Sequence, residues 1–393
     1  MEDDVTEMVL KKFAQKLADS EKRVRDRAVK KFRQWLMLQT QKGALINEDD
    51  MMKIWKALFF CMWMSDKPLV QEGLSENLSG FMHAIKGDDN VMLFLKCALL
   101  TIGSEWAKID KYRFEKFQML VRRLIRQAFV WLKNKNWDAE AIENFVDVLK
   151  VTVVNVEQPH LSVIPIGLKT HVSDLYCEEI AKIGGETLSS EQVFSLIKPY
   201  GEALQECEDS RLSNAIMKRV FEYLMRQSDV GLKHEAQAAT GVELDEGMEE
   251  EENEEESEEE DDDLPTSGVL DPRAGRVDVA LPQLPLDFHQ CSDWLFELGA
   301  QKSVTQKNRE LIYDLAKKFE VISKGDFPIP CLQVPPPKLL DERVPRSEVL
   351  KALKRAQKME LNLQKESRVE KLEFSNGKIM KRGKRSSKRR RVR

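Results

Sequence analysis

The sequence predicts an all-α fold: a HEAT-like α-α superhelical solenoid of about ten helices, then an acidic disordered linker and a mostly extended or disordered basic C-terminal region. Three observations predict it. Apolar residues recur at three- and four-residue steps from Thr6 to about Gln227, the spacing of one helix face. Similar helix starts return after 44 or 45 residues. Glu243–Asp263 then holds 16 acidic residues and no basic one, a composition that cannot bury enough apolar surface to fold.

Val9, Phe13 and Leu17 mark a first helix, and Val24, Ala28, Phe32 and Trp35 a second. The stretch Ile54–Met64 is the most apolar. Trp55, Leu58, Phe59 and Met62 share one face and Phe60, Trp63 and Met64 fill the opposite side, so this third helix should pack on more than one side. Ser65-Asp66-Lys67-Pro68 stops it, because proline lacks an amide donor and suits the first turn of the next helix. That fourth helix is expected from Pro68 to about Ile85. Asn90 is expected to cap a fifth. Asp110 is expected to cap a long sixth, whose apolar face runs Phe114, Phe117, Val121, Leu124, Ile125 and Ala128. Asp138 starts a seventh through Ile142, Phe145 and Leu149. After a break at Gln158-Pro159, helices follow over 167–183, 190–197 and 210–225, with Ser189 and Gln192 spaced as a capping box.

Glu21-Lys22-Arg23-Val24, Asp66-Lys67-Pro68-Leu69 and Asp110-Lys111 set the repeat. Two helices per unit of this length match HEAT-like repeats, in which no pair buries its own apolar face and neighbours stack. An irregular helical bundle is the alternative the same pattern allows. The domain organisation expected is 1–240 helical repeat, 241–268 acidic linker, 269–345 short helices with proline-rich extended chain, and 346–393 a charged helix with a basic disordered tail. Within the third part, 293–298 and 306–321 read as helical, while Phe327-Pro328-Ile329-Pro330 and Pro335-Pro336-Pro337 read as extended.

The net charge of −5 conceals two opposed segments, since Lys378–Arg393 carries 10 basic residues and no acidic one. The first residues lack the pattern of a secretory signal and no apolar run approaches a membrane span, so neither secretion nor a membrane is expected. Cys61, Cys97, Cys177, Cys207, Cys291 and Cys331 form no close pairs and read as reduced core residues. Phosphate-loop, dinucleotide, nucleophile-elbow and zinc-protease patterns are absent, and the five histidines lie far apart. No catalytic residue, cofactor, metal or small-molecule substrate is expected. Acidic pairs such as Asp88-Asp89 and Glu178-Glu179 read as caps and solvated faces. Most of the seven tryptophans sit at core spacing, although Trp137, in a polar turn, is not placed by it.

Basic surface is the better functional candidate. Lys22, Arg23, Arg25, Arg27 and Lys30, with Lys31 and Arg33, make the second helix strongly positive. On the sixth, Lys116 and Arg123 lie seven apart and Arg122 and Arg126 four apart, flanking the apolar face. Such faces suit RNA phosphates, whose counterions are released on binding, and no RRM, KH or C2H2 signature suggests base reading. In the tail, Lys381, Arg382, Lys384, Arg385, Lys388, Arg389, Arg390 and Arg391 read as a nuclear or nucleolar localisation signal able to hold RNA phosphates.

Three blocks carry a family resemblance: Phe13-Ala14-Gln15-Lys16-Leu17-Ala18 with Val24–Ala28, Ile54–Glu72, and Ile109–Arg123. Together they resemble the ribosomal RNA-processing protein 1 family of nucleolar ribosome-assembly factors, over about residues 6 to 225. The resemblance implies a non-enzymatic nucleolar factor needed to process precursor rRNA of the large ribosomal subunit, docked on that RNA and on other assembly factors. A nuclear adaptor or histone-chaperone-like protein, using the acidic run, is the alternative reading.

Overall fold

A computed structural model describes residues 11–42, 46–156, 164–240 and 281–329, with side chains to residue 235 in the third segment. Every regular element in them is helical. In order these are α1 (residues 11–17), α2 (Lys22–Gln41), α3 (Glu48–Trp63), α4 (Pro68–Ser79), α5 (Asp88–Glu105), α6 (Phe114–Asn134), α7 (Ala139–Val151), α8 (Ile166–Gly184) and α9 (Ser190–Glu206). They continue with α10 (Ser210–Ala215), a π-helical turn at Ile216–Phe221, α11 (Glu222–Arg226), α12 (Asp229–Thr240), α13 (Phe288–Ala300) and α14 (Gln306–Ser323).

The helices form two layers. In one, α3 packs on α5, α5 on α7 and α7 on α9; in the other, α4 packs on α6, α6 on α8, and α8 on α10 and the π turn. This is the HEAT-like stacking that the repeat spacing predicts. Between the layers runs a ladder of buried rings. Phe59 stacks on Phe117 with centroids 4.4 Å apart, Trp55 meets Phe94 at 4.7 Å, Phe129 meets both Phe145 and Tyr176 at 5.4 Å, and Tyr176 meets Tyr200 at 4.8 Å. Each such ring removes enough apolar area from water to contribute about 1.5–3 kcal/mol, and each bridges neighbouring helices rather than closing one. Cohesion is therefore between repeats.

Several caps follow the sequence and several do not. Asp138 accepts from Ala141 N, and Ser189 with Gln192 forms the capping box. Pro68 sits in the first turn of α4, but that α-helix ends at Ser79 and a 3₁₀ turn carries the chain to His83. Helix α3 begins at Glu48, capped by Asn47, six residues before the apolar run; three acidic residues favour its positive N-terminal end. Asn90 is not a cap. Gly87, in the left-handed region at φ 84°, precedes α5, while the Asn90 side chain accepts from Ile46 N and donates to Lys86 O, tying the α2–α3 connection to α5. Asp110 accepts from Tyr112 N and Arg113 N in a turn before α6, which starts at Phe114. Helix α9 runs through Pro199 to Glu206 instead of ending near Ile197. There the buried faces of α9, against α7 and α14, outweigh the lost amide bond. Trp137 is core: its indole donates to Thr187 Oγ1 at 3.0 Å and its carbonyl accepts from Gln192.

Beyond the acidic run, α13 and α14 form a hairpin that packs on α9. Phe194 meets Trp294 edge-on at 5.2 Å, Phe221 meets Phe319 at 6.0 Å, and Asn308 donates to Gln205 O at 2.9 Å. The helix expected over 346–368, the proline-rich run at 335–337, Cys331 and the acidic run lie outside the described residues.

Candidate nucleic-acid interface

Helix α2 is amphipathic in the ordinary way. Ala28, Val29, Phe32 and Leu36 face the core, so charged residues must take the other side. Arg25 departs from the sequence reading: it is buried, and its guanidinium donates to Asp19 O and Ser20 O, both at 2.8 Å, closing the α1–α2 connection. Lys22 pairs with Asp26. Arg23, Arg27, Lys30, Lys31 and Arg33 are exposed and form no ion pair among the described residues. Arg23, Arg27 and Lys30 follow one another in steps of about a helical turn, and Lys31 adjoins Lys30 one turn beyond Arg27. A groove of about 370 Å³ separates α2 from α4, lined among others by Lys22, Lys30, Ser65 and Leu69; Leu69 is 83% exposed.

The four basic residues singled out on α6 are engaged within the fold, and the physical reason is their position between stacked helices. Lys116 is 4% exposed and donates to Trp63 O at 2.8 Å and Ser65 O at 2.7 Å, satisfying carbonyls at the end of α3. Burial pushes its pKa down to about 8. Arg123, 2% exposed, donates to Ser75 Oγ and Glu72 O and pairs with Glu72 and Glu76 of α4. Arg122 and Arg126 close on Glu179 of α8, and Arg122 also pairs with Glu178. Glu179 is wholly buried, not on a solvated face. Burial alone would raise its pKa; the Arg126 and Arg122 guanidiniums prevail and hold it below the ordinary carboxylate value. These four cations thus join α3 to α6, α4 to α6 and α6 to α8.

Their partners lie 47 to 57 residues away. That separation is somewhat more than the 44- to 45-residue repeat, which was the signal available in the sequence for finding them. A second depression, about 760 Å³, is lined largely by apolar groups of α1, α2 and α3, among them Phe13, Leu17, Ile54, Ala57 and Phe60. No cluster of three or more His, Cys, Asp or Glu side chains that could hold a metal ion occurs among the described residues. His171 donates through Nε2 to Gln118 O, and burial lowers its pKa. Burial likewise pushes up the thiols of Cys61, Cys97, Cys177, Cys207 and Cys291. The tail residues Lys381 to Arg391 lie outside the described residues.

The family model described as "Nucleolar protein, Nop52" matches residues 8–316. Ribosomal RNA processing protein 1 homolog A of Homo sapiens is 30% identical over 334 residues, covering 80% of this chain and 71% of the relative. Homolog B of Homo sapiens is 32% identical over 335 residues, covering 80% of this chain and 43% of the relative. The Drosophila melanogaster homolog is 32% identical over 319 residues, covering 78% and 45%. The chain therefore spans under half the length of the latter two. The match takes in both helical layers and reaches into α14, and on that ground the chain belongs to the Nop52 family of nucleolar proteins.

Proposed function

We propose that this protein is a non-catalytic nucleolar scaffold factor for processing precursor rRNA and assembling the large ribosomal subunit. It acts by docking on that rRNA and on other assembly factors while separate nucleases cut. The family and the relatives named for ribosomal RNA processing support the general role. The observation that carries the docking mode is the unpaired stripe Arg23, Arg27, Lys30 and Lys31 on α2, set on a rigid stack of helices. Solvated cations in a row release phosphate counterions at little cost in rearrangement. The apolar depression beside α1 suits a protein partner better than RNA. The tail signal directs the chain to the nucleus and nucleolus. No helix among the described residues is long and apolar enough to cross a membrane.

Depletion followed by rescue tests this reading. Loss of the protein should leave large-subunit rRNA precursors accumulated, and normal precursor levels after depletion would overturn the role. The alternative, a histone-chaperone-like adaptor, draws on the acidic run. Pull-down after deleting 243–263 separates the two: retained precursor association with lost histone binding favours assembly.

A further inference from the structure

We propose that the edge where α3 ends and α6 begins is a base-stacking site for single-stranded RNA, with Tyr112 as its exposed platform. The proposal rests on the RNA reading above and adds a second, chemically different contact. Tyr112 is 84% exposed, in the turn before α6, with the Lys111 ammonium 4.8 Å from its ring centre. The next residue, Arg113, lays its guanidinium 4.8 Å from the ring of Trp63, itself only partly buried at the end of α3. Trp63 leans on Phe59 at 5.9 Å, Phe59 meets Phe60 at 5.7 Å, and Lys56 sits 5.8 Å over the partly exposed Phe60.

Aromatic faces alternating with cations are what a sequence-tolerant single strand needs: rings stack on bases while ammonium and guanidinium groups meet phosphates. The strip is also net positive. Lys56 and Lys108 share the one carboxylate of Glu105, Arg113 is matched by Asp110, and Lys111 has no acidic partner among the described residues. The edge is fixed rather than loose, because Lys116 bonds the carbonyls of Trp63 and Ser65 from the first turn of α6. Ser65, held by Lys116, also lines the groove that Lys30 of the α2 stripe lines.

The test uses the full chain and two labelled oligonucleotides of equal length, one a uridine-rich strand and one its abasic counterpart with the same phosphates. Contacts from α2 and from the basic tail act on both, so the affinity ratio isolates stacking. Wild-type protein should favour the base-bearing strand by about 5-fold or more. Tyr112→Ala should lower the ratio by about 5-fold or more without weakening the abasic complex, and Tyr112→Phe should keep it. A solvent-exposed ring leaves folding intact on truncation, which circular dichroism checks. An unchanged ratio in Tyr112→Ala overturns the stacking site even if charge reversal on α2 weakens both complexes and so upholds the docking stripe. Absence of binding to either strand overturns both. A photo-crosslinker at position 112 that captures protein instead of RNA in the isolated precursor particle assigns the edge to a protein partner and sinks the proposal.

Discussion

Arg126 of α6 reaches across the layer to Glu179 of α8, its Nε 2.6 Å from one carboxylate oxygen and its Nη2 3.1 Å from the other. With Arg122 on the same carboxylate, one fully buried acid fixes the spacing of two neighbouring repeats. Charge here sets register.

Glu179→Gln should therefore destabilise the fold by about 3 kcal/mol, because it leaves the half-buried Arg126 guanidinium without a counter-charge and Arg122 with Glu178 alone. Urea unfolding measures it. The pH dependence has a definite sign. The folded carboxyl is held below its ordinary value of 4.5, so its contribution is complete above that value. It is lost as pH falls from there through the folded pKa. That acid-side loss should be smaller in Glu179→Gln.

Lys116 should show the same sign in a higher window, for a different reason: burial penalises its charged form. Its pKa falls from 10.5 to about 8 on folding, so between those values the unfolded chain holds more protons. Stability from this group then rises with pH across that window. Lys116→Met should remove the rise. At neutral pH it should also cost about 1–3 kcal/mol by stranding the Trp63 and Ser65 carbonyls, read as a lower unfolding midpoint.

At Gly201 of α9, an added Cβ would run into the Trp294 ring of α13. Gly201→Ala should cost about 1–3 kcal/mol by overpacking. Combined with Trp294→Leu, the cost should fall short of the sum of the two single changes, since the smaller side chain relieves the clash. Strict additivity in a double-mutant cycle would mean that α13 does not rest on α9.

Reversing Arg23, Arg27, Lys30 and Lys31 to Glu should leave thermal stability nearly unchanged, as exposed substitutions away from packing move it by about 0.5 kcal/mol or less each. RNA affinity should fall, and the slope of log affinity against log salt should shrink by about 0.7 for each single-strand phosphate that is no longer neutralised. An unchanged slope would remove α2 from the interface.

Much of the architecture was legible because a helix face leaves a local trace. Val24, Ala28 and Phe32 announce α2 without reference to anything distant, and the 44- to 45-residue spacing of helix starts announces the stacking. Less legible was which charges face water. Arg23 and Arg25 read alike in the sequence, yet one is exposed and the other closes a turn by bonding Asp19 and Ser20 carbonyls. Helix α9 illustrates the same gap: the sequence reading ended it at residue 197, and it continues through Pro199 to Glu206 because neighbouring helices cover it.

The sequence by itself determined that amphipathic rods would form and roughly where they would begin, because periodicity and capping are properties of neighbours along the chain. Only the tertiary structure decided that Lys116, Arg123 and Arg126 serve the fold while the α2 stripe and Tyr112 remain open to solvent. It alone brought α13 and α14 back onto α9. The reason is physical: whether a charge is solvated or buried depends on carboxylates and carbonyls about 50 residues away, and no local pattern encodes the presence of a distant partner.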